Sequence, residues 1–130
     1  MVERLWQRFL INADEIQNEY RDGTPVGFSF KTVPGGMGMS LSRIDNITVS
    51  VDGQEFDRKD LRLVLRGRTY TFDEMETMAT VRWEFRERAT VLVPLAGGLT
   101  GRGERRIDMS ISVRKYNGIC TIKAYTVLDM

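Results

Sequence analysis

LRLVLRGRTYTFDEMETMATVRWEFRERATVLV, residues 61–93, is the stretch whose reading decides the fold. It opens on an alternating run, with Leu61, Leu63 and Leu65 on one face and Arg62 and Arg66 among the residues on the other. Two more runs close it: Val81, Trp83, Phe85, and then Val91, Val93. Alternation at period two is what a half-buried strand needs, because successive side chains point to opposite faces. Between the runs lies RGRTYTFDEMETM. Thr71 and Glu74 stand in the T-x-x-E spacing of a capping box, where each side chain satisfies a backbone donor at a helix start. Phe72, Met75 and Met78 follow at three-residue steps, so one short helical segment lays an apolar stripe back on the sheet.

Strand signals extend outward on both sides. Residues 27–31, GFSFK, alternate, and Asp22-Gly23-Thr24-Pro25 before them reads as a turn. Residues 44–51 put Ile47, Val49 and Val51 on one face. Asp52-Gly53 then signals a type I′ hairpin, with residues 54–56 as a short return strand. Residues 106–114 alternate most cleanly: Ile107, Met109, Ile111 and Val113 oppose Arg106, Asp108, Ser110, Ser112 and Arg114. After a turn at Tyr116-Asn117-Gly118, residues 119–128 give a last strand. It has Cys120, Ile122, Ala124, Thr126 and Leu128 on one side and Ile119, Tyr125 and Val127 on the other. Both faces are partly apolar, so cover by the N-terminal arm or by another subunit is expected. About eight short strands with Gly-rich turns and no βαβ alternation predict an all-β chain. The expected build is an antiparallel β-sandwich, immunoglobulin-like or jelly-roll-like, with one short helical turn. Residues 1–24 read as an N-terminal arm or short helix, with Leu5, Trp6, Phe9 and Leu10 at helical spacing. Residues 25–130 read as the single sandwich domain.

The bulk numbers narrow the chemistry. At 130 residues the chain can bury a core without disulfide staples. Net charge is +1, and the basic residues alternate with acids, as in Arg82, Glu84, Arg86, Glu87, Arg88. No nucleic-acid or membrane partner is expected from that pattern. The N-terminus shows no signal peptide, and the one cysteine, Cys120, fits a reducing cytoplasm as a small buried hydrophobe. There is no histidine. The commonest general base and metal ligand is therefore missing, together with every Ser-His or Cys-His arrangement.

Other candidate chemistries weaken on inspection. Asp57 and Asp60 lack further clustered ligands and read as a solvated turn. The glycine-rich link at 94–103 has Arg106 where a last glycine would stand and precedes a strand, so it reads as a hairpin loop. Asp73, Glu74 and Glu76 sit where they complement a helix dipole. Tyr70, near Arg66 and Arg68, could line a sugar site but fits a strand end better. Trp83 falls in phase with the core. The loop VPGGMGMSL at 33–41 divides evenly between a flexible connector and a contact loop, since adaptable methionines on a mobile backbone suit a partner. On these readings the expected partner contacts are Pro34, Met37, Met39, Tyr70, Phe72 and Met75. No catalytic, cofactor-binding or metal-binding residue is expected on this chain.

RGRTYTFDEMET and the Arg82-Trp83-Glu84-Phe85 run, flanked by IDNITVSVDGQEF and GGLTGRGERRIDMSISV, resemble the small β subunit of bacterial C-glycoside deglycosidases. The likeness spans about residues 25–115. The resemblance implies the accessory half of a carbon–carbon lyase built from two subunits. A separate oxidoreductase first makes a ketone on the sugar of a C-glycoside, and the lyase then cleaves the bond from sugar to aromatic aglycone. The resemblance places catalysis on an α subunit, a sugar-phosphate-isomerase-like barrel with a catalytic histidine and a divalent metal, usually manganese. The Gly- and Met-rich 33–41 loop departs from the aromatic or Arg-bearing loop of the family. A stand-alone carbohydrate-binding or structural sandwich is the competing expectation. A homo-oligomeric interaction protein is the third.

Overall fold

The computed structural model describes residues 7–34 and 37–130. Its strands are β1 (Gln17–Arg21), β2 (Thr24–Thr32), β3 (Met39–Ser40), β4 (Ile44–Val51), β5 (Gln54–Glu55), β6 (Arg62–Leu65), β7 (Arg68–Tyr70), β8 (Arg82–Trp83), β9 (Ala89–Pro94), β10 (Glu104–Lys115) and β11 (Gly118–Asp129). Two single helical turns join them: α1 (Gln7–Leu10) and α2 (Phe72–Met75). One sheet runs β1-β2-β9-β6-β7, the other β11-β10-β4-β5, and β3 pairs β8 in a small separate ribbon. All the pairings are antiparallel. The sandwich expected from the alternation is therefore present, with short edge strands beyond the eight expected.

The alternation also picks out the inner faces. Leu63, Leu65, Phe28, Phe30, Val91 and Val93 of one sheet, with Leu61 just ahead of β6, share a buried cluster with Ile47, Val49, Ile107, Met109 and Ile111 of the other. Phe56 leaves the β5 strand and packs edge-on against Phe28, with ring centroids 6.1 Å apart. Asp22-Gly23, Asp52-Gly53 and Arg66-Gly67 all have positive φ at both positions, the geometry of type I′ hairpins.

Four expectations change. First, β1 pairs with β2 across the Asp22-Gly23 turn, so residues 17–21 belong to the sandwich and the boundary at 24/25 falls inside a hairpin. Leu5 and Trp6 lie outside the described residues; Leu10 is buried and Phe9 exposed. Second, the 94–103 link is no hairpin loop. It carries the chain from β9 in one sheet to β10 in the other. Asn18 clasps it, donating from Nδ2 to the Leu99 carbonyl (3.1 Å) and accepting from the Leu99 N–H at Oδ1 (2.8 Å). Third, the 81–85 run makes a strand only at Arg82–Trp83. Trp83 is buried as expected, but Phe85 is 54% exposed. The chain turns there, with the Glu87 N–H donating to the Glu84 carbonyl and Arg86 at φ 61. Fourth, Cys120 is half-buried on the edge strand β11 rather than inside the core.

Segments 37–43 and 78–88 and the β10–β11 turn meet at one end of the sandwich. β2 ends at Thr32 opposite Ala89, where β9 begins. β4 begins at Ile44 opposite Val113, close to the β10–β11 turn. The Leu41 N–H donates to the Val81 carbonyl (2.8 Å) and Arg114 Nη1 to the Ser42 carbonyl (2.7 Å), lacing these segments together.

Candidate partner surface

The laced end is organised by Trp83 and Glu87. Trp83 Nε1 donates to the Glu87 carbonyl at 2.7 Å. The Glu87 carboxylate accepts from the Glu84 N–H (2.9 Å) and from Arg66 Nη1 (2.5 Å), and Arg66 Nη2 reaches the Arg82 carbonyl (2.7 Å). A positive-φ turn at Arg66 thus places a guanidinium across a neighbouring loop. Burial alone would raise the Glu87 carboxyl, but the Glu84 N–H and the Arg66 guanidinium outweigh it and hold the group below its ordinary 4.5. A depressed carboxyl leaves the folded state with fewer bound protons than the unfolded chain near that pH. Its stabilisation is thus complete above about pH 5 and fades as pH falls through the lowered folded value. The gap in urea midpoint between wild type and Glu87→Gln should therefore shrink on acidification from neutrality. A gap of constant size across the acid range would contradict the assignment.

The capping box forms in both directions. The Thr71 N–H donates to Glu74 Oε1 and the Glu74 N–H to Thr71 Oγ1, each at 3.0 Å. The Thr71 backbone N–H, then its hydroxyl, lowers the Glu74 carboxyl from its ordinary value. The other two acids are held by Arg58, which reaches Asp73 at 2.6 Å and Glu76 at 3.2 Å and lies over the Phe72 ring. The cluster is spent on closing α2. Among the described residues no three metal-ligating side chains converge.

The six expected contact residues divide sharply. Met37 is 75% exposed, while Pro34, Met39, Tyr70, Phe72 and Met75 are buried in this chain's own core. Of those five, Met39 lies beneath this end, paired with Trp83, while Arg58 covers the Phe72 ring at 5.7 Å and Arg68 the Tyr70 ring at 5.6 Å. Positions 35–36 of the same loop lie outside the described residues. Beside Met37, the exposed surface there holds Phe9, Phe85, Arg86 and Tyr116, none of which the sequence reading named as a contact. The Arg86 guanidinium lies 5.4 Å from the Phe9 ring centroid and 5.3 Å from that of Phe85. Gly38 brings the Met37 loop against the Phe85 backbone, since a Cβ there would lie 2.8 Å from the Phe85 nitrogen. Met37, Arg43, Tyr116 and Asn117 line an adjoining recess of about 380 Å³. Aromatic, methionine and arginine side chains gathered in one exposed patch have the composition of a protein–protein contact. An arginine among aromatics was the one signal in the sequence that could have marked Phe85.

Compared with known families, residues 6–116 match the one described as C-glycoside deglycosidase beta subunit. The chain belongs to that family. Among curated relatives, the C-glycoside deglycosidase beta subunit of Eubacterium cellulosolvens is 33% identical over 79 residues, covering 60% of this chain and 54% of that protein. The beta subunit of the same name from Arthrobacter globiformis is 31% identical over 55 residues, 42% of each chain. The matched stretches thus span about half the length of these relatives. Among the described residues, no helix of this deglycosidase-family chain is long and apolar enough to cross a membrane.

Proposed function

We propose that the chain is the accessory, non-catalytic β subunit of a heteromeric C-glycoside deglycosidase, an α and a β subunit working together in the cytoplasm. In this reading the α subunit, a sugar-phosphate-isomerase-like barrel, carries the divalent metal, usually manganese, and the groups that cleave a 3-oxo-C-glycoside. The observation that carries it is the family match over residues 6–116 in a chain with no histidine. The densest acids among the described residues are taken up by Arg58 and by the capping box. What it offers is a shaped surface, and the Phe9–Phe85–Arg86–Met37 patch is the part of it assigned to the α subunit.

Co-expression with a barrel protein encoded beside it tests the assignment. The two should elute together from a sizing column, and the isolated chain should turn over no keto-sugar conjugate. Separate elution, or turnover by the chain alone, would overturn the reading. Phe85→Asp should weaken that association about 30-fold or more, the scale of a central aromatic anchor, with the melting temperature nearly unchanged because the ring is exposed. Unchanged affinity would remove the patch from the interface.

A second reading, a carbohydrate-binding sandwich acting alone, is favoured by one observation. The outer face of β4, β10 and β11 forms a recess of about 440 Å³ lined by Thr48, Glu55, Asp108, Ser110, Lys123 and Tyr125. Arg106 already covers the Tyr125 ring at 4.1 Å, which leaves little aromatic face for a sugar. Calorimetric titration of the isolated chain with oxidised and unoxidised glycosides separates the readings; saturable binding supports the second.

A further inference from the structure

The edges of the sheets differ in how they are protected. A free edge exposes unpaired N–H and C=O groups, and folds blunt such edges by making them short, bulged, charged or covered. Here β5 has two residues and β7 three. β1 is bulged between Glu19 and Tyr20. β11 has twelve residues, pairs with β10 without a register shift, and contains neither proline nor bulge. It is the long, regular edge of the molecule.

Its free hydrogen-bonding groups can be assigned. Gly103 and Met130 exchange both backbone bonds at 3.0 Å, so they form a hydrogen-bonded pair. Such pairs alternate along an antiparallel ladder. The even positions of β11 therefore bond to β10. Ile119, Thr121, Lys123, Tyr125, Val127 and Asp129 aim their backbone groups outward. The first turns of the chain approach β11, but no described residue is hydrogen-bonded to these outward groups. The side chains of the same six residues are exposed on the outer face.

We propose that this edge pairs with the same edge of a second copy, antiparallel about a twofold axis at Thr126. The two four-stranded sheets then become one continuous sheet. Two arguments select the occupant and the register. Outward-bonding residues must oppose outward-bonding residues, which leaves only registers centred on a residue. Of these, the one centred on Thr126 sets Lys123 of each copy opposite Asp129 of the other. Neither side chain has an ion-pair partner among the described residues. The same register opposes Tyr125 to Val127 twice, an aromatic–β-branched pair of the kind that stabilises sheets. It also brings half-buried Ile122 and Leu128 toward cover. Centring on Lys123 would instead set like charges face to face. The segment paired in this register, residues 122–130, lies towards the end of β11 away from the Tyr116 turn, so self-pairing and partner binding use different parts of the molecule.

Sedimentation of the full chain by itself tests this. Wild type should be a reversible dimer. Lys123→Asp and Asp129→Lys should each weaken dimerisation roughly tenfold by replacing two attractive pairs with repulsive ones. The two changes combined should restore it. Val127→Pro removes an outward N–H without touching the bonds to β10 and should give a monomer. A monomeric wild type, or a combined variant as weak as the single ones, overturns the proposal. Phe85→Asp should leave self-association intact, which keeps this test independent of the subunit assignment.

Discussion

Trp83→Ala is expected to cost about 3–5 kcal/mol and to lower the melting temperature by on the order of 10–20 °C. The ring is completely buried, and β8, on which it sits, has only two residues to hold it in place. Its removal leaves a cavity beneath the loop that carries Phe85, and it strands the Glu87 carbonyl that Nε1 now satisfies. Trp83→Phe separates these contributions. It keeps most of the packing and loses the hydrogen bond, so about 1–3 kcal/mol should go. Chemical denaturation of the two variants gives both numbers. If alanine costs no more than phenylalanine, cavity formation is not what Trp83 prevents. Because Trp83 supports the exposed patch from below, Trp83→Ala should also weaken capture of a partner by that patch.

Gly27→Ala should be the most costly single-methyl addition. Gly27 lies in β2 opposite Pro94, and a Cβ there would stand 2.2 Å from the Val93 carbonyl oxygen. That oxygen belongs to the backbone of β9, so relief requires the two central strands to separate. Overpacking of this kind costs about 1–3 kcal/mol, and more where no side chain can yield. At Gly53 a Cβ meets nothing within 4 Å, but φ is +87, so Gly53→Ala is strained by the backbone alone. Thermal melts of the pair distinguish contact from conformation: Gly27→Ala should fall further. Equal losses would mean that β2 and β9 can move apart at little cost.

Several features were legible from local chemistry. Alternation identified the inner faces of β4, β6, β9 and β10, because a strand with one wet face writes its burial into the sequence. The Thr71–Glu74 box and the Asp52-Gly53 turn were readable because both depend on residues within four positions. Trp83 and Phe85 show where this ends. They share a phase, yet one is fully buried and the other 54% exposed. A turn held by Glu84 and Glu87 separates them, and that turn depends on Arg66, distant in sequence. The exposed patch was hidden for the same reason, since Phe9, Met37, Phe85 and Tyr116 come from four separate segments of the chain.

By itself, the sequence determined a β-rich chain with a capped helical turn, several hairpins and no imidazole to carry acid–base chemistry. Periodicity and turn residues act over a few positions, and composition needs no geometry. Only the tertiary structure decided which strands share a sheet, that the 94–103 link crosses between layers, that five of the six expected contact residues lie inside, and that the twelve-residue β11 is an edge strand. Those outcomes depend on pairings between residues far apart along the chain, and the pattern of any single strand is compatible with many such pairings.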